Sequence, residues 1–453
     1  MNSRISYHGG WGGTATPQML GDVLAAAARA PLTGAYLTIY AATSENVYVY
    51  DPATHDLVLH VAGDWRSDAT AVFEVGLSAD HTLDAGAAMH LAQLESIALW
   101  TGTASQLASC PRATAATYAN SHWNPVEPVD IAISFGKRTV PGLTTTLVAI
   151  SSDGSLPDPL TDGATFLDDA LARPAYDSTF ATGDLTAAEM SQLLWAAYGC
   201  SNHRASGGKA GLVCSSAVAN YYLTRRIYAI GPEGVFRYHN RQPPGTDQTT
   251  RDHRLESVTA GDVRPALREA AGLPDAPRHL VICVGATGAW PELEVGFAAM
   301  GAQLQAAALD LQGHWRVDFS AEEQAAIRQA TGIPSGDLPM AIVSLGHPLP
   351  GATVEMPGER EEAGWLSVEN RITAGTGVTI HYATPDGAPM GLAIYDCQGR
   401  EVVRLVERRQ GAGAHTAWWD CRDDRGRPVL SGVYLCRLKA GAVARTAHVV
   451  VVR

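Results

Sequence analysis

No stretch of this 453-residue chain stays apolar for the ~18 residues that a membrane-spanning helix needs, so no helical span is expected. Charge is scarce as well. Charged side chains make up 17% and aromatic ones 7%, against 46% apolar. That balance belongs to a packed globular chain and excludes wholesale disorder. Basic charge is shortest of all, with 33 Lys and Arg against 46 Asp and Glu, a net charge of −13. A phosphate-tracking surface needs a basic face, so no nucleic-acid partner is expected. The seven cysteines are Cys110, Cys200, Cys214, Cys283, Cys397, Cys421 and Cys436, and no two stand at C-x-x-C spacing. A zinc or dithiol motif is therefore unsupported. Fifteen histidines supply no H-E-x-x-H or comparable spacing, and no metal is expected. Gly207-Gly208-Lys209 lacks the upstream glycine and following Ser/Thr of a phosphate loop. HGGWGG at His8 looks like an esterase oxyanion loop, yet no G-x-S-x-G elbow follows, so it reads as a mobile terminus. The first twenty residues hold no apolar signal core, and as written the chain reads as cytoplasmic.

What is present is modular. The length suggests roughly three domains at about 150 residues each. Residues 1–160 carry 6 basic and 14 acidic side chains, while residues 366–453 carry 12 and 8. Self-similarity runs through the first 350 residues. AYLTIYAATSENVYVYDPATH from Ala35 and YYLTRRIYAIGPEGVFRYHN from Tyr221 each predict a hairpin ending near Tyr50 or Tyr238. Two small-residue helices follow, from Asp84 and from Glu294. Gly86/Gly296, Gln93/Gln303, Leu94/Leu304 and Leu99/Leu309 match at one offset of 210, as do Ser134-Phe135-Gly136 and Ser344-Leu345-Gly346. Upstream the offset shrinks to 188 at Tyr50/Tyr238 and 171 at Met19/Met190, so the second copy carries extra loop residues, which cost little. Phe297, Met300, Leu304 and Leu311 give the second helix one larger apolar face; Ala and Gly on the others allow close approach of a partner helix, its own repeat. After residue 351 a charged connector, 351–365, leads to short strands with Gly, Asp and Pro turns over 366–453, the pattern of a small β-sandwich.

Helix, hairpin, helix and closing strand, with LTAAEMSQLLWAAYG (Leu185–Gly199), GPEGVFRYHN and NVYVYDPATH, resemble the nitroreductase family, in particular its SagB-type dehydrogenase branch. Family members are intimate dimers with FMN between the subunits. The resemblance therefore implies an α+β chain of two fused nitroreductase-like halves, 1–150 (degenerate) and 151–350 (more complete), clasped as an intramolecular pseudo-dimer in a monomer. The tail resembles the FlgD-like immunoglobulin-type module through Ile394-Tyr395-Asp396, Trp419-Asp420 and Ser431-Gly432-Val433-Tyr434, with Cys421 where that module usually has Gly. The resemblance implies FMN-dependent hydride transfer through flavin N5, NAD(P)H as electron donor, and a small-molecule or modified-peptide substrate.

The sequence departs from the family's phosphate-binding arginine run: the second copy keeps Arg173 and loses most of the rest, and the first copy begins too late to contain it. Ser216 stands at the family's serine turn, as a flavin contact or as a turn serine. Gly313 keeps one of two family glycines. Arg204 and Lys209 are candidate replacement cations. The cofactor set is thus Arg173, Ser216, Arg204, Lys209 and Gly313, with no catalytic residue assigned. The alternative is a flavin-free binding or scaffolding pseudoenzyme. Gln93 and Gln303 read as a buried pair across the halves more readily than as ligand contacts. Cys200 and Cys214, near His203, read as small buried cysteines more readily than as nucleophiles. Cys421 and Cys436 read as free thiols, or as a disulfide if the chain is exported. The tail suggests export or a surface location, which implies a true start further upstream.

Overall fold

The computed structural model describes residues 11–14, 16–99, 107–138, 156–159, 170, 178–204, 210–214, 220–241 and 251–349 of a first compact unit, Met1–Thr353. Of a second unit, Val354–Arg453, it describes 366–368, 371–373, 377–384, 389–396, 400–409, 413–429, 432–440 and 443–452.

The first unit is mixed helix and sheet. Its N-terminal part holds strand β1 (Trp11–Gly12), helix α1 (Pro17–Ala28), β2 (Leu37–Ala42), β3 (Asn46–Asp51), β4 (Asp56–Ala62), β5 (Phe73–Ala79), α2 (Thr82–Leu99), β6 (Leu107–Arg112), α3 (Ala113–His122) and β7 (Ile131–Arg138). The following part holds α4 (Ala187–Tyr198), β8 (Cys200–Arg204), β9 (Ala210–Leu212), β10 (Ile227–Gly231), β11 (Gly234–Arg241), β12 (Arg251–Ala260), α5 (Arg264–Ala271), β13 (Arg278–Val284), α6 (Ala289–Ala308), β14 (Gln312–Val317), α7 (Ala321–Thr331) and β15 (Leu338–Gly346). The two main sheets share one order. The first runs β6-β7-β5-β2-β3-β4 and the second β14-β15-β13-β10-β11-β12, every pairing antiparallel. Registers match too: Tyr40 faces Val49 and Tyr228 faces Arg237, both at an offset of 188. The hairpin β8–β9 and helix α5 have no counterpart among the described residues of the first part.

Helices α2 and α6 lie at the centre. A Cβ on Gly86 would stand 2.2 Å from the Leu293 carbonyl oxygen, and one on Gly296 2.0 Å from the Leu83 carbonyl oxygen. The contact is reciprocal, because 83 and 86 map onto 293 and 296 at the offset of 210. Only glycine lets the two backbones touch there. Nearly every face of α6 from Pro291 to Ala307 is buried. One apolar core then runs from Leu20 and Val23 of α1 through α2 and α6 to Leu193 and Leu194 of α4.

Several expectations need correction. Trp11 and Gly12 are not a mobile end: they pair with Arg138 and Lys137, and Trp11 is 6% exposed. Its side chain covers Gly136, where an added Cβ would sit 2.8 Å from the Trp11 Cβ and 3.0 Å from the ring, and its Nε1 donates to Asp68 at 3.1 Å. Phe180 covers Gly346 in the same way. The second hairpin begins at Ile227; Tyr221 (φ 53°) and Arg225 (φ 60°) adopt left-handed turns just before it. Leu311 lies beyond the end of α6 and is buried there.

The described residues of the second unit form strands only. Three, β16 (Leu366–Val368), β18 (Val378–Thr384) and β21 (Gly413–Trp419), make one sheet. Five, β17 (Arg371–Thr373), β19 (Pro389–Asp396), β20 (Glu401–Arg409), β22 (Gly432–Ala440) and β23 (Val443–Val452), make another. Ile380, Tyr382 and Trp419 of the first and Leu392, Ile394 and Leu438 of the second share one core. Cys421 and Cys436 sit in it and are not in a disulfide, and burial pushes the Cys436 thiol up to about 12.

Candidate functional site

A buried acid stands at the same repeat position in each central helix, Asp84 in the first turn of α2 and Glu294 one turn further into α6, which starts at Ala289 and not at Glu294 as the repeat suggests. Asp84 is fully buried and accepts from the backbone N–H of Thr33 and of Gly34, both at 2.9 Å, and from the Thr33 hydroxyl at 2.8 Å. Glu294 is 2% exposed and accepts from the Tyr198 hydroxyl at 2.6 Å and the Tyr222 N–H at 2.7 Å. Gly34 and Tyr222 are themselves equivalent at the offset of 188. Each acid therefore ties the segment before its hairpin to its central helix, and Asp84, in the first turn of α2, also meets the positive end of the helix dipole. Burial, and then the neighbouring Glu294 carboxylate, hold the Tyr198 phenol well above its ordinary range. Tyr198 stays protonated and acts as a fixed donor.

The seam between α2 and α6 also carries His90. It is 1% exposed and meets Phe297 edge-on at 5.2 Å between ring centres. His81 of the first part reaches Asp318 of the second at 3.2 Å.

Beside Tyr198 lies a buried cation. Arg241, at the end of β11, is 1% exposed. Its guanidinium lies 4.0 Å over the Tyr221 ring and donates to the Ala210 carbonyl at 2.9 Å. Its Nε has no hydrogen-bond partner, and no carboxylate pairs with it among the described residues. Burying a charge this way is costly unless an opposite charge reaches it. Around it, Cys200 donates to the Asn240 carbonyl at 3.0 Å and Asn240 to the Tyr198 carbonyl at 2.9 Å. Cys200 and Cys214 are buried and are not in a disulfide.

Of the sequence-derived cofactor residues, Arg173, Lys209 and Ser216 lie outside the described residues. Arg204 falls on β8, and its side chain lies outside them as well. Gly313 is described, on β14. A Cβ there would meet the Gln303 amide oxygen at 2.5 Å, and Gln303 donates to the Gly313 carbonyl at 2.8 Å. Gly313 thus makes room for Gln303, whose described bond stays within its own half. Sequence reasoning missed Arg241, Tyr198 and the paired acids. Only the acids left a signal, as the residues that open the two aligned small-residue stretches, although the helices themselves start earlier, at Thr82 and Ala289.

No family model and no curated protein matches this chain. A solved structure described as a nitroreductase from Anabaena variabilis matches with TM-score 0.53 at 13% identity, covering 73% of this chain and 88% of that one. Another, described as a nitroreductase from Ralstonia eutropha, gives 0.34 at 22% identity over 46% of this chain and 98% of that one. FlgD from P. aeruginosa gives 0.15 at 21% identity over 18% and 61%. The first of these carries the inference. The first unit has a nitroreductase-like fold.

That fold brings FMN into question, and the residues can be asked whether they suit it. Flavin binding needs a cation or backbone amides for the phosphate and a polar ring edge. Arg241, a guanidinium with an open Nε and no acid opposite among the described residues, suits an anionic group. Gly313 does not, since Gln303 already fills its free side.

Proposed function

We propose that this chain is an FMN-dependent oxidoreductase of nitroreductase type, with its site in the second half against the seam of an internal pseudo-dimer. The observation that carries the proposal is Arg241, a buried cation with no counter-charge among the described residues, in a nitroreductase-like fold. The matched order of the two sheets and the reciprocal Gly86 and Gly296 contacts support the pseudo-dimer. So does the extent of the Anabaena match, whose 73% of this chain exceeds what either half holds.

FMN, when bound, supplies hydride transfer at N5. The chain's own residues then have limited tasks. Arg241 neutralises the phosphate, with Arg173, Arg204 and Lys209 as further cations and Ser216 as a polar contact. Glu294 and Tyr198 hold the segment at Tyr222. Tyr198, kept protonated, moves no proton. NAD(P)H as donor, a modified-peptide substrate of the SagB type, and an FlgD-like β-sandwich tail that marks an exported or surface protein belong to the same proposal. Among the described residues no helix is long and apolar enough to cross a membrane.

Colour tests it. The purified protein should be yellow, with a flavin band that denaturation releases, and Arg241→Met should weaken FMN about tenfold or more, the loss of a charge-assisted contact. A colourless preparation that takes up no added FMN overturns it. The second reading, a flavin-free binding protein, is favoured by the Gln303 side chain standing where a cofactor would approach Gly313.

A further inference from the structure

In the second half one guanidinium closes the space between the hairpin tip and the lead into the first helix. Arg278, the first residue of β13, donates to Asp184 at 2.7 and 2.6 Å and to Glu233 at 2.7 and 2.8 Å. Its side chain is 12% exposed.

Register assigns each member a counterpart in the first half. Arg278 pairs with Leu345 as Phe73 pairs with Phe135, so Phe73 takes its place. Glu233 lies in the hairpin tip at the offset of 188, the place of Glu45. Asp184 lies two residues before the helix cap Thr186, as Thr14 lies two before the cap Thr16. The first half has thus kept one acid and lost both the guanidinium and the second acid.

A cavity of about 570 Å3 occupies that place, and Thr14, Glu45 and Phe73 all line it, with Trp11, Tyr48 and Arg66. The volume falls in the usual range of small-ligand sites. The Glu45 carboxylate has no hydrogen-bond or ion-pair partner among the described residues; the bonds of Glu45 there are backbone ones, its N–H to the Thr43 hydroxyl and its carbonyl from the Gly63 N–H. Arg66 does not serve it. That guanidinium is held by Asp64 at 2.8 and 2.5 Å and by the Ala71 carbonyl.

We propose that this cavity binds an arginine side chain presented by a peptide, its guanidinium taking the place that Arg278 fills in the second half. Glu45 pairs with the guanidinium, and Trp11, Tyr48 and Phe73 cover the apolar stem. A peptide-borne arginine is favoured over the free amino acid. The latter brings a carboxylate into a region, residues 1–160, with 14 acidic and only 6 basic side chains. The proposal stands apart from flavin binding, since none of these residues touches Arg241 or Glu294.

Calorimetric titration of the full chain with N-acetyl-arginine amide tests it, with free arginine and N-acetyl-citrulline amide, the neutral analogue, alongside. The capped arginine should bind, and the citrulline analogue about tenfold more weakly or worse. Glu45→Gln should weaken the arginine probe to a similar degree. Glu45 is exposed at a hairpin tip, so an unchanged unfolding midpoint is expected, and Thr14→Lys, which adds a like charge at the rim, gives a second variant with the same expected loss. Tighter binding of free arginine than of the capped form would move the proposal's source from peptide to metabolite and overturn it as stated. Absence of binding, equal binding of the citrulline analogue, or indifference to both substitutions overturns it altogether.

Discussion

The two halves of the first unit differ most where they are most nearly superimposable in register. At the paired positions Glu74/Ser134 and His279/Ser344, both halves bury a titratable group against a serine at 0% exposure. In one, Ser134 donates to Glu74 at 2.7 Å; in the other, His279 Nδ1 meets the Ser344 hydroxyl at 2.9 Å. Glu74 also takes the Ser67 N–H at 2.6 Å and hydroxyl at 2.7 Å, so it ends in a polar nest, while the Nε2 of His279 has no partner among the described residues. Yet the backbones around them pair alike. The contrast teaches that main-chain contacts, above all glycine against carbonyl at the seam, set the architecture. Buried polar content was then free to diverge, fully bonded at Glu74 and bonded through one ring nitrogen at His279.

The seam itself offers the largest test. Gly296→Ala and Gly86→Ala each push a methyl to about van der Waals overlap with a helix carbonyl, at 2.0 and 2.2 Å. The carbonyl belongs to backbone, so relief means moving a whole helix. Each should cost about 3 kcal/mol in urea unfolding, the upper part of the range for overpacking. The reciprocal geometry demands that the two losses agree within about 1 kcal/mol, a spread typical of context. Gly21→Ala in α1, whose Cβ meets nothing within 4 Å, should instead stabilise by about 0.5–1 kcal/mol. A harmless Gly86→Ala would break the comparison at its root.

That seam was legible from residues alone, because a constant spacing of small residues survives in a helix where one face must touch another backbone. The hairpins were legible from alternation, and α4 from LTAAEM, whose Thr186 and Glu189 form the capping box found at its start. The sheet order was not, since which strand lies beside which is a long-range fact absent from local pattern. Arg241 was invisible for another reason: an arginine closing a strand is usually solvated, and only the packing of Tyr221 and β9 over it buries it. Trp11 misled because a Gly-rich start reads as loose, while its ring fills the space that Gly136 leaves open. Of the two alternatives read for Cys421 and Cys436, thiols or a disulfide, the structure has them as thiols inside the core of the second unit.

Acid sharpens the contrast between Glu74 and His279. Burial, helped by Arg264 and Arg268, pushes His279 down to about 3. The folded chain therefore refuses a proton that the unfolded chain accepts below about 6.5. Stability contributed by neutral His279 is fully present above that value and is lost as pH falls from about 6.5 toward 3. The loss should amount to about 2 kcal/mol between pH 6.5 and 5. Comparing wild type with His279→Gln over that window isolates it, since the other titrating groups are common to both. The variant should lose less stability, by about that amount. Identical pH profiles would mean that His279 is solvated or already charged, and that the two halves treat this position alike after all.

The helix starts give the smallest effect and the finest comparison. Thr186 caps α4 by accepting from the Glu189 N–H at 3.2 Å, and Glu189 returns the bond by accepting from the Thr186 N–H at 2.7 Å. Thr16 caps α1 by accepting from the Met19 N–H at 3.2 Å, but Met19 has no acceptor to return. Both caps satisfy a helix N–H that would otherwise be orphaned. Only the second half closes the reciprocal box. Thr186→Ala should then cost about 1 kcal/mol, and Thr16→Ala about half of that, in paired urea titrations. Met19→Glu should recover the difference by completing the first-half box, provided the Thr16 cap is intact. A Met19→Glu chain no more stable than wild type would show that the start of α1 is held by its packing beside Trp11 and the adjoining cavity instead of by its cap.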